Sequence, residues 1–279
     1  MRVAYRNYVD SVSAGSIVAS ATDTGYEVSH IQDQRLSYPY RVTASAATIT
    51  IDLSSLVEFE ISTLAILGHN LSSSASIIFD FNNTNTWPGE YQETLTWNEG
   101  IILKFLSTYV DTDADYLISE AGAYIISEAS SFIITSSGYQ YCQVQISDPS
   151  NTDGYIQIGR VWIGDYLTIN PSSLLNFKIT KKRSDVVIYG KDRQKFAISG
   201  VGWRRIELSF PRTESTMVDS IFAMYKEIAN HKSIIFCNFD TIRNYKIVEP
   251  MYCSIDGEIG FKHISRMGFQ YSVALEEDL

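Results

Sequence analysis

The apolar positions of this chain recur mostly at every second residue, in short runs. Thr48-Ile49-Thr50-Ile51-Asp52-Leu53 is the clearest case: Ile49, Ile51 and Leu53 share one face and polar residues the other. That is the period of a half-buried strand. Runs at 16–20, 75–81, 95–97, 101–105 and 140–146 continue the series, and 61–67 is apolar enough to be buried on both faces. Turn residues separate them at the intervals of an all-β sandwich. In residues 155–165, YIQIGRVWIGD, Ile156 and Ile158 form one alternation and Val161 and Ile163 another, broken at Gly159-Arg160. A glycine inside a strand predicts a bulge or a close backbone approach. This stretch reads as the last strand of a first domain and the seam to a second.

Beyond the seam, Asn170-Pro171-Ser172-Ser173 reads as a linker. Strands are predicted at 176–180, 186–189 and 196–210. In the last, Ile206, Leu208 and Phe210 face one way and Arg205, Glu207 and Ser209 the other, with Pro211 as the stop. A helix is predicted over 214–230, where Met217, Val218, Ile221, Phe222, Tyr225, Ile228 and Ala229 make one apolar stripe. Thr213 or Ser215 suits its start and Asn230 its end. Strands resume at 233–239, 245–252 and 269–275. The order β-β-β-α-β-β-β predicts a sandwich or barrel with one flanking helix. The fold class is mainly β, with domains at 1–166 and 167–279.

Residues 115–137 are internally periodic. YLISEAGA, YIISEASS and FIITSSGY place Tyr116, Tyr124 and Phe132 eight apart, and Ile118, Ile126 and Ile134 likewise. Such units cannot bury a face alone and must stack. They read as an insertion, about 111–138, in the first domain.

Charge divides the chain at the same seam. Residues 1–165 hold 6 Lys and Arg against 19 Asp and Glu, and residues 166–279 hold 16 against 13. An acidic first domain argues against binding nucleic acid or an anionic membrane. Opposite signs suit head-to-tail contact between copies, and a solvated surface explains them equally. Lys181-Lys182-Arg183 reads as a basic turn. No run of about 18 apolar residues predicts membrane insertion. The start, MRVAYRNYVD, has no apolar core of a secretory signal, which predicts synthesis and assembly in a cytoplasm. Cys142, Cys237 and Cys253 are widely spaced and read as buried thiols.

Candidate chemistry is sparse. No nucleophile elbow, zinc helix, phosphate loop or dinucleotide glycine set occurs, so neither an enzyme nor a cofactor is expected. Trp87, Tyr91 and Trp97 lie near loops, where aromatics can stack on sugar rings. The alternative places Trp97 in the core and Trp87 under its loop. Asp111, Asp113 and Asp115 look like the start of a calcium loop. Tyr116 stands where that loop needs glycine and Gly122 where it needs glutamate, so a solvated acidic turn or a looser cation site is left. His69-Asn70 reads as a strand end with a packed histidine, and Asp33 with Arg35 as a local ion pair.

Residues 28–71, VSHIQDQRLSYPYRVTASAATITIDLSSLVEFEISTLAILGHNL, resemble the opening of the discoidin-like, or galactose-binding-like, jelly roll. YIQIGRVWIGD resembles that family's last strand. Ile31-Gln32-Asp33 stands in place of Asn-Leu-Asp, and Tyr40-Arg41 where tryptophan is usual. The phrase LGHNLSSSA and the octads look like those of phage and prophage tail and fibre proteins. WRRIELSFPRTESTMVDSIFAMYKEI looks like the strand-then-helix unit of the tail-tube and distal-tail superfamily. The resemblance implies a virion component of a tail tip or baseplate, made in the host cytoplasm. Its C-terminal domain would assemble with copies of itself in a ring and with other phage tail proteins, and its jelly roll would dock a neighbour or touch a host surface. The alternative is a carbohydrate-binding protein that recognises a host surface glycan.

Overall fold

The structure, a computed structural model, describes residues 2–57, 59–98, 100–106, 134–135, 139–169, 177–189, 195–213, 215–228, 232–237, 250–265 and 268–278. Its strands run β1 Arg2–Asn7, β2 Ile17–Ala19, β3 Tyr40–Val42, β4 Ala46–Asp52, β5 Glu60–Ile61, β6 Thr63–Leu67, β7 Ser76–Asn82 and β8 Tyr91–Leu95. They continue as β9 Ile101–Phe105, β10 Ile134–Thr135, β11 Tyr141–Ser147, β12 Ile156–Ile158, β13 Arg160–Thr168 and β14 Phe177–Arg183. Next come β15 Val186–Tyr189, β16 Lys195–Ile198, β17 Gly202–Thr213, helix α1 Ser215–Ile228, β18 Ile234–Cys237, β19 Met251–Ser265 and β20 Gly268–Glu277. The chain divides into two compact units. One is Asn7–Asp165, and the other joins Met1–Arg6 to Tyr166–Leu279. The first six residues, read with the first domain in the sequence, therefore cluster with the second.

In the unit Asn7–Asp165, a five-stranded antiparallel sheet in the order β2-β4-β11-β7-β8 faces strands β13, β6 and β9. Period-2 alternation decides what enters the core. Ile49, Ile51, Val144, Ile146, Phe79 and Phe81 from one sheet meet Leu64, Ile66, Val161 and Ile163 from the other, each at most 2% exposed. Neighbouring strands are far apart in sequence, as β11 lying between β4 and β7 shows. That crossing is the mark of a jelly-roll-like sandwich. The break at Gly159 separates β12 from β13. A Cβ there would lie 3.0 Å from the Leu36 carbonyl oxygen and 3.2 Å from that of Leu67, so two backbones pass closer to this position than a side chain ordinarily allows. Strand 95–97 is displaced: β8 ends at Leu95 and Trp97 lies beyond it.

In the other unit, β14-β17-β20-β19-β18-β1 form one antiparallel array, and β15 pairs with β16 as a separate hairpin. The single α-helix among the described residues, α1, lays Ile221, Met224 and Ile228 into a core that includes Leu208, Phe210, Tyr271 and Leu275. Val218, Ile221 and Ile228 of the apolar stripe read from the sequence are buried, Met224 joins them although it was not read into the stripe, and Phe222 lies on the solvent side. Asn230 lies outside the described residues. The predicted strand 196–210 is split, β16 ending at Ile198 and β17 starting at Gly202. Pro211 does not stop β17, which runs to Thr213 because a register shift after Phe210 absorbs the missing N–H. Lys181-Lys182-Arg183 is strand, paired with Gly202, Trp203 and Arg204. The turn lies after it. No helix of the described residues is long and apolar enough to cross a membrane.

Candidate ligand-binding site

Strands β3 and β12 form a two-stranded ribbon with Val42 opposite Ile156, Arg41 opposite Gln157 and Tyr40 opposite Ile158. Alternation sends Tyr40, Val42, Ile156 and Ile158 inward, all buried. Arg41 and Gln157 face outward. Tyr40 takes the place the resemblance gives to tryptophan. Its hydroxyl donates to the Ala21 carbonyl at 2.7 Å, and burial pushes the phenol up to about 12.

Arg41 is held on three sides. Its guanidinium carbon lies 3.9 Å from the centre of the Tyr26 ring and 5.1 Å from that of Tyr155. Nε donates to Asp23 Oδ2 at 2.9 Å. Asp23 also accepts from the Thr43 N–H at 3.0 Å and the Thr43 hydroxyl at 2.9 Å. Desolvation would raise the Asp23 carboxyl, but the bonds from Thr43 and Arg41 outweigh it and hold the group below its ordinary value. Backbone bonds zip the loop to the strand: Asp23 N–H donates to the Arg41 carbonyl at 2.9 Å and Arg41 N–H to the Tyr26 carbonyl at 3.3 Å. Neither Nη of Arg41 donates to an acceptor among the described residues, and the side chain is 30% exposed. A flat cation gripped by two tyrosines thus presents its outer fork to solvent.

Asn70 fixes the other wall. Its Nδ2 donates to Asp153 Oδ2 and to the Tyr155 carbonyl, both at 2.9 Å, and its Oδ1 accepts the Gln157 N–H at 2.8 Å. His69 is a packed neighbour, as read from the sequence. Its Nδ1 lies 3.2 Å from the Leu71 N–H and accepts from it. The proton then sits on Nε2, which faces the Asn98 carbonyl at 3.2 Å. Burial pushes this imidazole's pKa down. Asp33 and Arg35 form the expected local pair, with bonds of 2.9 and 2.6 Å, which holds the Asp33 carboxyl at about 2.

The aromatics singled out in the sequence each have partners of their own. Trp87 is half-buried in the β7–β8 loop, its Nε1 donating to Asn85 Oδ1 at 3.2 Å. Tyr91 packs near Phe81 and Tyr139, at 6.2 and 6.1 Å between ring centres. Its hydroxyl donates to Glu93, which also takes Lys104. Trp97 packs on the sandwich core and donates to the Leu71 carbonyl at 2.9 Å. Tyr91 and Trp97 are separated by six residues, roughly 20 Å of extended chain. Asp111, Asp113 and Asp115 lie outside the described residues, and so do the octads except for the backbone of β10, which pairs with β5. Sequence reading missed Arg41, Asp23, Tyr26 and Tyr155 as a group. The outward places of Tyr155 and Gln157 follow from the alternation in YIQI. That Arg41 stands opposite them does not, because the pairing spans more than a hundred residues.

No family model matches the chain, and no curated protein matches it. Among solved structures it is similar to the chitosan-binding module 1 of a chitosanase/glucanase from Paenibacillus sp. IK-5, at 12% identity and a TM-score of 0.36, over 57% of this chain and 98% of that one. It is similar to a Ruminococcus gnavus GH29 fucosidase in complex with fucose, at 11% identity and a TM-score of 0.37, over 58% of this chain and 27% of that one. It is also similar to the CBM32 of AlyQ in complex with 4,5-unsaturated mannuronic acid, at 16% identity and a TM-score of 0.31, over 58% of this chain and 97% of that one.

Proposed function

We propose that the unit Asn7–Asp165 recognises a glycan at Arg41. The observation that supports this reading is the outer fork of Arg41, fixed between Tyr26 and Tyr155 and left without an acceptor among the described residues. A rigid fork loses little freedom on binding and suits two adjacent oxygens of one ligand. Asp23 and the Gln157 amide supply acceptors beside it. Arg41, Asp23 and Asp153 carry one positive and two negative charges between them, so the surroundings favour a neutral sugar ring over an anion. Titration of the full chain against a panel of neutral oligosaccharides is expected to give saturable binding. Arg41→Met is expected to weaken it about tenfold or more, the loss of two hydrogen bonds, with the urea midpoint little changed. Absence of binding across the panel, or equal binding by Arg41→Met, removes the proposal.

A role as a tail-tip or baseplate component is a second reading, supported by one observation. Phe222 stands 50% exposed on α1, with its ring 4.4 Å from that of Phe261. An exposed aromatic ring suits burial against another copy. Light scattering of the full chain is then expected to show a defined oligomer that Phe222→Asp dissociates. A monomer at every concentration speaks against this reading.

A further inference from the structure

We infer that His30 is a proton-operated clamp on the Arg41 site, closed by the imidazolium and opened by the neutral ring. His30 is 7% exposed in the short helical turn Val28–Gln32. Its Nδ1 lies 3.1 Å from the Pro39 carbonyl oxygen, and its Nε2 lies 3.1 Å from Glu27 Oε2. A carbonyl oxygen can only accept a hydrogen bond, and so can an ionised carboxylate. Hydrogen bonds from its own N–H and from the Gly25 N–H hold the Glu27 carboxyl below its ordinary value, so it is ionised near neutral pH. Serving both oxygens takes two ring N–H groups, and only the imidazolium has two. A neutral ring serves one oxygen and turns a lone pair on the other.

The two oxygens belong to the two segments that grip Arg41. Glu27 directly follows Tyr26, whose ring meets the guanidinium, in the loop that carries Asp23. Pro39 stands two residues before Arg41, at the entry to β3. Backbone bonds already tie the segments, but the one from the Arg41 N–H to the Tyr26 carbonyl is long at 3.3 Å. The His30 side chain adds a second tie, which lasts as long as its second proton. Loss of that proton frees Glu27 or Pro39, and with it the position of Tyr26 against Arg41.

The surroundings leave the switching to His30. Tyr38 stacks on the imidazole at 3.7 Å between ring centres, a face that favours a cation, and the Arg35 guanidinium lies 5.2 Å from the same ring. Asp33 is paired with Arg35, Asp23 with Arg41, and Asp10 of the packed turn Tyr8–Ser11 with Arg160. That turn also brings the phenol of Tyr8, and β3 that of Tyr40, while β2 brings no ionisable side chain. Histidine ordinarily changes charge between about pH 5 and pH 8, with carboxylates below that range and phenols above it. His69, near the other wall, differs in sign. Its Nδ1 accepts the Leu71 N–H, so acid breaks that bond, whereas acid completes the clamp at His30. The Arg41 site is therefore expected to tighten as pH falls through the imidazole range and to loosen as pH rises.

The first test needs no ligand. In the full chain labelled with nitrogen-15 at His, Tyr and Arg, the backbone amide signals of Tyr26 and Arg41 are expected to move with the midpoint of the His30 ring between about pH 5 and pH 8. Glu27→Gln is expected to abolish this coupled movement, because a rotated amide donates to a neutral Nε2 as readily as its oxygen accepts from a charged one. The Glu27 side chain is 56% exposed, so this variant is expected to fold. A His30 ring that does not titrate in this range, amide signals that stay fixed while it does, or movement unchanged in Glu27→Gln each overturn the clamp. The consequence for binding rests on the glycan reading of Arg41. With cellopentaose, xylopentaose and mannopentaose as probes, affinity for a sugar that binds is expected to be about tenfold higher at about pH 5.5 than at about pH 8, the share of one hydrogen bond to a charged group. Glu27→Gln is expected to level the two. Affinity that is equal at both, or that rises with pH, overturns the clamp and leaves the glycan reading standing. Binding of none of the three counts against the glycan reading, and the amide signals then decide the clamp by themselves.

Discussion

Arg160→Met is expected to cost the unit Asn7–Asp165 about 3 kcal/mol, the lower end of the range for breaking a buried ion pair by removing one partner. Arg160 is 1% exposed at the head of β13, and its Nη2 donates to Asp10. Asp10 also accepts from Asn7 Nδ2 at 3.0 Å. Asn7 in turn donates to the Val161 carbonyl and accepts the Ile163 N–H, both at 3.0 Å. One arginine therefore fastens the turn after β1 to the strand that closes the sandwich. Methionine nearly fills the volume, so the loss comes from leaving the Asp10 carboxylate without its cation. Asp10 is 26% exposed at its side chain and keeps some water, which places the cost at the low end. Urea unfolding should show a lower midpoint at unchanged slope. Adding Asp10→Asn to Arg160→Met should recover part of the loss, since contacting partners are not additive. A double variant as unstable as the two single losses combined would show that the pair does not hold the turn.

The same stretch shows how far the sequence could be read. Alternation in YIQIGRVWIGD placed Ile156, Ile158, Val161 and Ile163 in the core, where they are buried, but did not show that Arg160 and Trp162 on the other face of β13 are buried as well, and Gly159 marked the close backbone approach. Both are local signals, carried by period 2 and by the space a Cβ needs. The α1 stripe was legible for the same reason. Arg160 stands in that stretch as plainly as Gly159 does, yet nothing nearby says that it is buried. Its partner is 150 residues away, and burial of an arginine is decided by tertiary pairing. The first six residues hold the same lesson. Alternation permits a strand at Arg2–Asn7, but its partner is β18, more than two hundred residues on. The candidate site was illegible for that reason too. Aromatic residues near loops drew attention to Trp87, Tyr91 and Trp97, but exposure decides binding. Trp97 is packed on the core, and Tyr91 is packed beside Phe81.

Gly89→Ala is expected to destabilise the sandwich by about 3 kcal/mol and to release the loop that carries Trp87. A Cβ at position 89 would lie 2.3 Å from Asp80 Oδ1, 2.3 Å from the Phe81 carbonyl oxygen and 2.8 Å from the Phe81 carbonyl carbon. Two of these neighbours are backbone, so no side-chain rotation relieves the contact and the loop must lift. Lifting strains the Gly89 N–H bond to Asp80 and the Glu90 N–H bond to the Phe81 carbonyl, both 2.9 Å. A hydrogen bond to a buried charge contributes about 1.5–3 kcal/mol, and overpacking adds about 1–3 kcal/mol. Partial relaxation of the loop keeps the loss at about 3 kcal/mol. Gly15→Ala is the control: nothing lies within 4 Å of its Cβ position, and its midpoint should match the parent. Two readouts follow from the geometry. The urea midpoint should fall, and the near-ultraviolet signal of Trp87 should weaken, which Trp87→Phe identifies by difference. If Asp80 is what the loop is fastened to, Asp80→Asn should blunt the effect of Gly89→Ala, because the amide carries no charge left to desolvate. A Gly89→Ala protein within about 0.5 kcal/mol of its parent would mean that the loop does not rest on Asp80.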